Sequence, residues 1–205
     1  MVAAGALIWV LLGHGEDDDA GGVHHSPTPT ATTSPSTPPT SPAPSSPAPT
    51  TTTPVGSPRL RASDFPGDWN FRFGDVALKA RYVSSADYAT CEPVAGAGLL
   101  DHGCQYAVRW TYQAHNGGLK LTMMAFEMGS QSAAKDAASK FRSSDVKLPA
   151  SALLRSYAHS LTYAQGSTDM LVLTVVTTTK DVPNDVATKY LRYANTDLSS
   201  ALLFR

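Results

Sequence analysis

No lysine or arginine occurs before Arg59, so all 16 basic residues lie from there on. The apolar opening, residues 1–13, therefore has no basic flank. Thirteen residues rise only about 20 Å as a helix, short of the ~30 Å hydrocarbon core of a bilayer. The length suits the apolar region of a signal peptide, but the charged region that should precede it is missing. Leu11 or Asp18 would fill the −3 position of a cut after Gly13 or Ala20, and both are poor there. No cysteine lies near to take a lipid. The positive-inside rule expects basic residues ahead of a span. The expectation is that Met1 lies inside a transmembrane helix whose basic flank is upstream; a short, weak anchor is the other reading.

Large apolar residues are almost absent from residues 20–57, and 11 of the 15 prolines lie before Arg59. Such a stretch cannot bury enough surface to offset backbone ordering, so residues 14–58 are expected to form a disordered linker. Proline biases it to the extended polyproline II form, with a reach of at most roughly 120 Å. Ser/Thr with Pro suits either an O-glycosylated stalk or an inert spacer. The pair His24-His25 is read as part of that spacer.

Strong charge is also missing. Setting aside Glu16, Asp17, Asp18 and Asp19 leaves 13 of the 17 acids beside 16 bases, about +3, spread along the sequence. That excludes the concentrated basic surface of a nucleic-acid binder. Catalytic signatures are absent as well: there is no G-x-S-x-G, P-loop, H-E-x-x-H or C-x-x-C. Gly96-Ala97-Gly98 lacks the third glycine of a dinucleotide loop. No cofactor and no metal are expected.

Cysteine is scarce, with Cys91 and Cys104 the whole complement. In an exported position they are expected to form one disulfide. It closes a Gly-rich loop (Gly96, Gly98, Gly103), and the chain-entropy model gives about 3 kcal/mol for a loop of that size. A metal site from Cys91, His102, Cys104 and His115 is the alternative, but its spacing fits no paired-ligand zinc pattern.

What is present is a β-hairpin over residues 105–128. Tyr106, Val108, Trp110, Tyr112 and Ala114 alternate with Gln105, Ala107, Arg109, Thr111 and Gln113, a period of two. Asn116-Gly117 follows, the pair that best accepts the positive φ of a type I′ turn. Pairing then places Ala114 opposite Leu119, Tyr112 opposite Leu121, Trp110 opposite Met123 and Val108 opposite Ala125. On the other side it pairs Gln113 with Lys120, Thr111 with Thr122 and Ala107 with Phe126. A one-residue slip would mismatch both faces. Trp110 and Tyr112 are expected inside, with Arg109 and Gln113 on the more open face.

Around the hairpin, Trp69, Phe71 and Phe73 suggest a short first strand and residues 75–83 a second. Ser85 is expected to cap a helical turn reaching Cys91. Ser130 or Ser132 caps a helix to about Arg142. Residues 157–165 and 170–179 read as strands, the latter apolar on both faces. Pro183 starts a last helix that ends near Leu203. The expected fold of residues 59–205 is α+β: an antiparallel sheet of about four to six strands with helices on one face, built from two strand–strand–helix units.

Candidate ligand-facing residues are few. Trp69 and Arg72 suit a sugar platform, although Trp69 also suits the floor of the core. Arg109 projects from the hairpin. Glu127, one of two glutamates after the acidic run, would make an acid/base couple if an aspartate lay beside it. His159 would serve a hydrolase if a serine and Asp169 met it, and otherwise sits at a core margin.

The order of parts resembles that of uncharacterised membrane-anchored proteins of actinobacteria. The residues that carry the likeness are 99–104 running into the aromatic strand, a strand ending Phe126-Glu127-Met128, and the Ala-rich helix after it. The layout is also similar to extracytoplasmic sensor domains of actinobacterial receptor kinases. The resemblance implies a single-pass membrane protein with its C-terminal domain outside the cytoplasm. That domain would bind or sense an envelope ligand or protein partner without catalysis. A cell-wall hydrolase or transferase and a purely structural envelope protein are the alternatives. No catalytic residue is carried over.

Overall fold

A computed structural model describes residues 58–205. The anchor expected at residues 1–13, and all but the end of the 14–58 linker, lie outside the described residues. Six strands and three helices follow in order: β1 Trp69–Phe73, β2 Val76–Tyr88, α1 Ala97–Asp101, β3 Ala107–Ala114, β4 Leu119–Glu127, α2 Gln131–Ser139, β5 His159–Ser167, β6 Met170–Thr178 and α3 Asn184–Leu203. They build one antiparallel sheet in the order β1-β2-β3-β4-β6-β5. The units β3–β4–α2 and β5–β6–α3 are present as expected.

The β3–β4 pairing has the register that the alternation demands, from Ala107 opposite Phe126 to Ala114 opposite Leu119. Asn116 (φ 49°, ψ 32°) and Gly117 (φ 94°) carry the turn, and Gly118 N–H closes it on His115 O at 2.8 Å. Both central residues have the positive φ of a type I′ turn, which matches the twist of the strands.

The helices do not share a face, contrary to the sequence expectation. Met123 and Met124 are neighbours on β4 and point to opposite sides. Met123 joins Trp110, Tyr112, Val172 and the α3 residues Ala187, Tyr190, Ala194 and Leu198 in one core. Met124 joins Phe126, Leu173, Leu99 of α1 and Ala134 and Ala137 of α2 in another. The reason is visible in β4 and β6, which are apolar on both sides. A strand of that kind needs cover on both.

The sheet curls around α3. At one edge Trp69 Nε1 donates to Asp197 Oδ2 at 2.8 Å, and the Phe71 and Tyr193 rings lie 4.8 Å apart. At the other edge Arg192 sits 4.1 Å over the Tyr163 ring, and Ser167 Oγ donates to Ser199 O at 3.0 Å. One helix therefore touches both outer strands. Buried Asn195 pins it at mid-length by donating to Val172 O and Thr174 Oγ1, both at 3.1 Å.

Two local expectations fail. No helical turn follows Ser85, because β2 runs on to Tyr88, with a bulge between Tyr82 and Ser84. Pairing to β3 outweighs the capping preference of one serine. The second helix ends at Ser139 rather than near Arg142, although Ser130 does cap it, accepting from Ala133 N–H at 3.2 Å.

The sheet edge at the hairpin tip as a candidate site

The tip of the β3–β4 hairpin holds a run of left-handed backbone. His115 (φ 50°) and Asn116 (φ 49°) are consecutive non-glycine residues in the left-handed region. That conformation costs energy and persists only where the surroundings impose it. Tyr190 of α3 is one such constraint. Its ring lies 5.5 Å from that of His115, and its hydroxyl donates to Lys79 O at 2.9 Å. Gly117 cannot be replaced without strain, since its φ is 94° and a Cβ there would meet Gln113 Nε2 at 2.8 Å.

A hollow lies on each side of the tip. One, of about 530 Å³, is lined by residues 115–118 with Thr179, Asp181 and Val182. The other, of about 510 Å³, includes Asp68, Asn70, Lys79, Arg81, Gln113 and His115. Both are open and polar. The second holds two cationic side chains, one imidazole and one carboxylate. Asp68 already accepts from Tyr82 N–H at 2.8 Å through Oδ1. This arrangement suits binding of a polar or charged ligand. It does not pair a nucleophile with a base.

The residues expected to face a ligand are scattered. Trp69 is 7% exposed and stacks on Phe71, so it closes the core. Arg72 is exposed on the same edge strand. Arg109 was expected on the open face, yet it is 6% exposed. It lies in the covered middle of the sheet, where Nη1 reaches Ser151 Oγ at 3.4 Å and Nε has no partner. The chain after α2 folds back across this part of the sheet, and alternation within β3 cannot reveal that cover.

His159 and Glu127 are far apart. His159 is level with Thr178 and Glu127 with Met170, eight residues away along β6, or roughly 27 Å at the strand rise. A hydrolase built on both has no common site. Glu127 does meet an aspartate, Asp169, in the β5–β6 turn. Burial, then the Asp169 charge, pushes the Glu127 carboxyl above its usual range, against the pull of Gly129 N–H.

The cysteines are joined to each other, with Cα atoms 6.0 Å apart, which removes them from any metal site with His102 and His115. His102 is a clasp instead. Its Nδ1 lies 2.8 Å from Gly98 O and its Nε2 3.0 Å from Asp136 Oδ2, joining the disulfide loop to α2. Both neighbours are acceptors, so both bonds form together only on the doubly protonated ring. Asp136 is held below the usual carboxylate range, first by its bond from Lys140 and then with help from His102. Among the described residues no group of three or more His, Cys, Asp or Glu is placed to hold a metal, and no helix is long and apolar enough to cross a membrane.

Sequence reasoning missed Lys79, Arg81, Gln113 and His115 as neighbours. Their alternation was readable within each strand. The β2 bulge that sets which of them meet was not.

Comparison with protein-family models, with curated proteins and with solved structures finds no match.

Proposed function

We propose that the chain is a membrane-tethered extracytoplasmic domain that binds or senses a component of the cell envelope without catalysis. The observation that carries this is the Cys91–Cys104 disulfide, which suits an oxidising, outside-facing compartment. The apolar start and the Pro/Thr/Ser tract supply an anchor and a stalk on the sequence side. The polar hollows at the hairpin tip favour a binding module over a purely structural protein. Among the described residues, a hydrolase or transferase acting on wall polymers would have to use Glu127 and Asp169, the one carboxyl pair there with a raised member.

The test is topological. Intact cells are treated with a membrane-impermeant reductant and then a membrane-impermeant thiol reagent. The expected result is labelling of Cys91 and Cys104 only after reduction. Labelling confined to lysed cells would place the domain inside and end this reading.

A further inference from the structure

The basic residues are sorted by the pleat. Through the register, Trp69, Phe71, Leu78, Ala80 and Tyr82 of the β1–β2 hairpin face the α3 core. Arg72, Lys79 and Arg81 therefore share the opposite face, as do Arg109 of β3 and Lys120 of β4. The strand acids go the other way. Asp87 lies level with Val108 and Glu127 with Met170, both on the α3 side. Five bases and no acid thus occupy one face of β1–β4.

None of the five is in an ion pair among the described residues, whose four pairs involve His102, Asp136, Lys140, Lys189, Asp185, Arg205 and Asp64. Lys120 is committed to the fold, donating to Ser151 O and Leu153 O at 3.1 and 3.0 Å. Arg109 is buried nearby with its Nε unpartnered. Arg72, Lys79 and Arg81 are exposed. They leave a cationic strip that runs into the hollow with Asn70, Gln113 and His115.

We propose that this strip binds an extended polyanion, a polymer of polyol units joined through phosphodiesters, with one unit seated in the hollow. The inference deepens the envelope-binding reading and rests on it. Lys79 and Arg81 lie about 7 Å apart along β2, and Arg72, level with Ala77, lies about 7 Å further along and one strand spacing across on β1, so the three suit charges repeated along a chain rather than one small anion. Arginine forks take two oxygens of one phosphate. Asn70, Gln113 and Asp68 supply donors and acceptors for hydroxyls.

Two other polyanions fit less well. Single-stranded nucleic acid needs aromatic platforms for its bases, and Phe73 and Tyr82 alternate to the other face. A lipid surface needs several large apolar groups in the plane of the charges, and beside the strip only Ala77 and Val83 are exposed.

The test uses the full-length chain in mild detergent and measures binding to poly(glycerol phosphate), with dextran, poly-L-glutamate and single-stranded DNA as comparison polymers. Poly(glycerol phosphate) should bind tightest and dextran not at all. Binding should weaken about tenfold between about 50 and about 200 mM salt. Lys79→Gln with Arg81→Gln should weaken it by about tenfold or more, and Arg72→Gln by about threefold. Lys189→Gln on α3 should leave it unchanged. These residues are exposed, and an unaltered circular dichroism spectrum confirms the fold of each variant. Unchanged affinity in the double variant overturns the proposal, as does absence of binding. Tighter binding of poly-L-glutamate or DNA replaces it with an acidic-peptide or nucleic-acid site. Failure here with the domain outside the cell rejects the ligand class alone; a domain inside the cytoplasm rejects the envelope reading whatever the polymer does.

Discussion

Arg109 shows how far a single side chain can depart from its strand pattern. It sits at a polar position of an alternating strand, yet it is 6% exposed, with one long bond and an unpartnered Nε. A guanidinium does not shed its proton, so its burial is a standing cost. Methionine has a similar length and no charge. Arg109→Met is expected to stabilise the fold by on the order of 1 kcal/mol and so to raise the urea midpoint; a lower midpoint would mean that the charge has a partner. Glu127 poses a related problem with a pH signature. Its folded pKa is raised by burial and by Asp169, so the folded state holds its proton more tightly than the unfolded chain does. The stabilisation this gives is full below the ordinary glutamate pKa and is lost as pH rises through the folded value. At neutral pH the ionised group opposes folding. Glu127→Gln should therefore stabilise at pH 7, and the gain should vanish at low pH. Equal gains at both ends of a pH series of urea melts would contradict the pairing with Asp169.

At the scale of elements, the hairpin was the most legible part because three signals agreed there. The period of two, the Asn116-Gly117 pair and the matched character of both faces all imposed one register. The bulge in β2 left no comparable mark, since Tyr82, Val83 and Ser84 are all acceptable strand residues. The disulfide loop was half legible. Its cysteines announced the bridge, but its glycines suggested a segment with little else to hold it. The structure gives the loop more. Val94, Ala95 and Leu99 are buried, Gly96 N–H donates to Asp145 O at 2.8 Å, and Lys147 N–H donates to Val94 O at 2.8 Å. Gly98 lies so close to the Asp145 carboxylate that a Cβ would collide with it. Reduction is therefore expected to leave the domain folded and lower its stability by up to ~3 kcal/mol. Mass spectrometry with and without alkylation should find no free thiol in protein from its native compartment. Two reactive thiols there would remove the bridge and the strongest support for the outside location.

For the whole molecule, the choice between helices on one face and on both turns on the central strands. Residues 170–179 were readable as apolar on both sides, which implies two covering layers, although the expectation put the helices on one face. The small Ala134 and Ala137 of α2 and the long stripe of α3 gave no hint of which layer each would join. Closure of the domain also depends on its first described residues. Leu60 is 1% exposed and its N–H donates to the Tyr106 hydroxyl at 3.1 Å. Ala62 O accepts from Trp110 Nε1 at 2.9 Å, and the Phe65 ring meets Trp110 edge-on at 5.6 Å. The last residue, Arg205, donates to Pro58 O at 3.2 Å and pairs with Asp64 at 3.0 Å, so the two ends of the domain are tied together. A fragment beginning at Pro58 keeps every one of these contacts and should unfold at the same urea concentration as the full chain. A fragment beginning at Pro66 loses Leu60 and Phe65 from the core and leaves the Trp110 indole N–H without its acceptor. Full burial of the Leu60 side chain is worth about 1.5–3 kcal/mol, half-buried Phe65 adds less, and an orphaned buried donor costs about 1–3 kcal/mol more. The shorter fragment should therefore be destabilised by several kcal/mol. Equal midpoints for the two fragments would show that residues 60–65 are an ornament on the core rather than its lid.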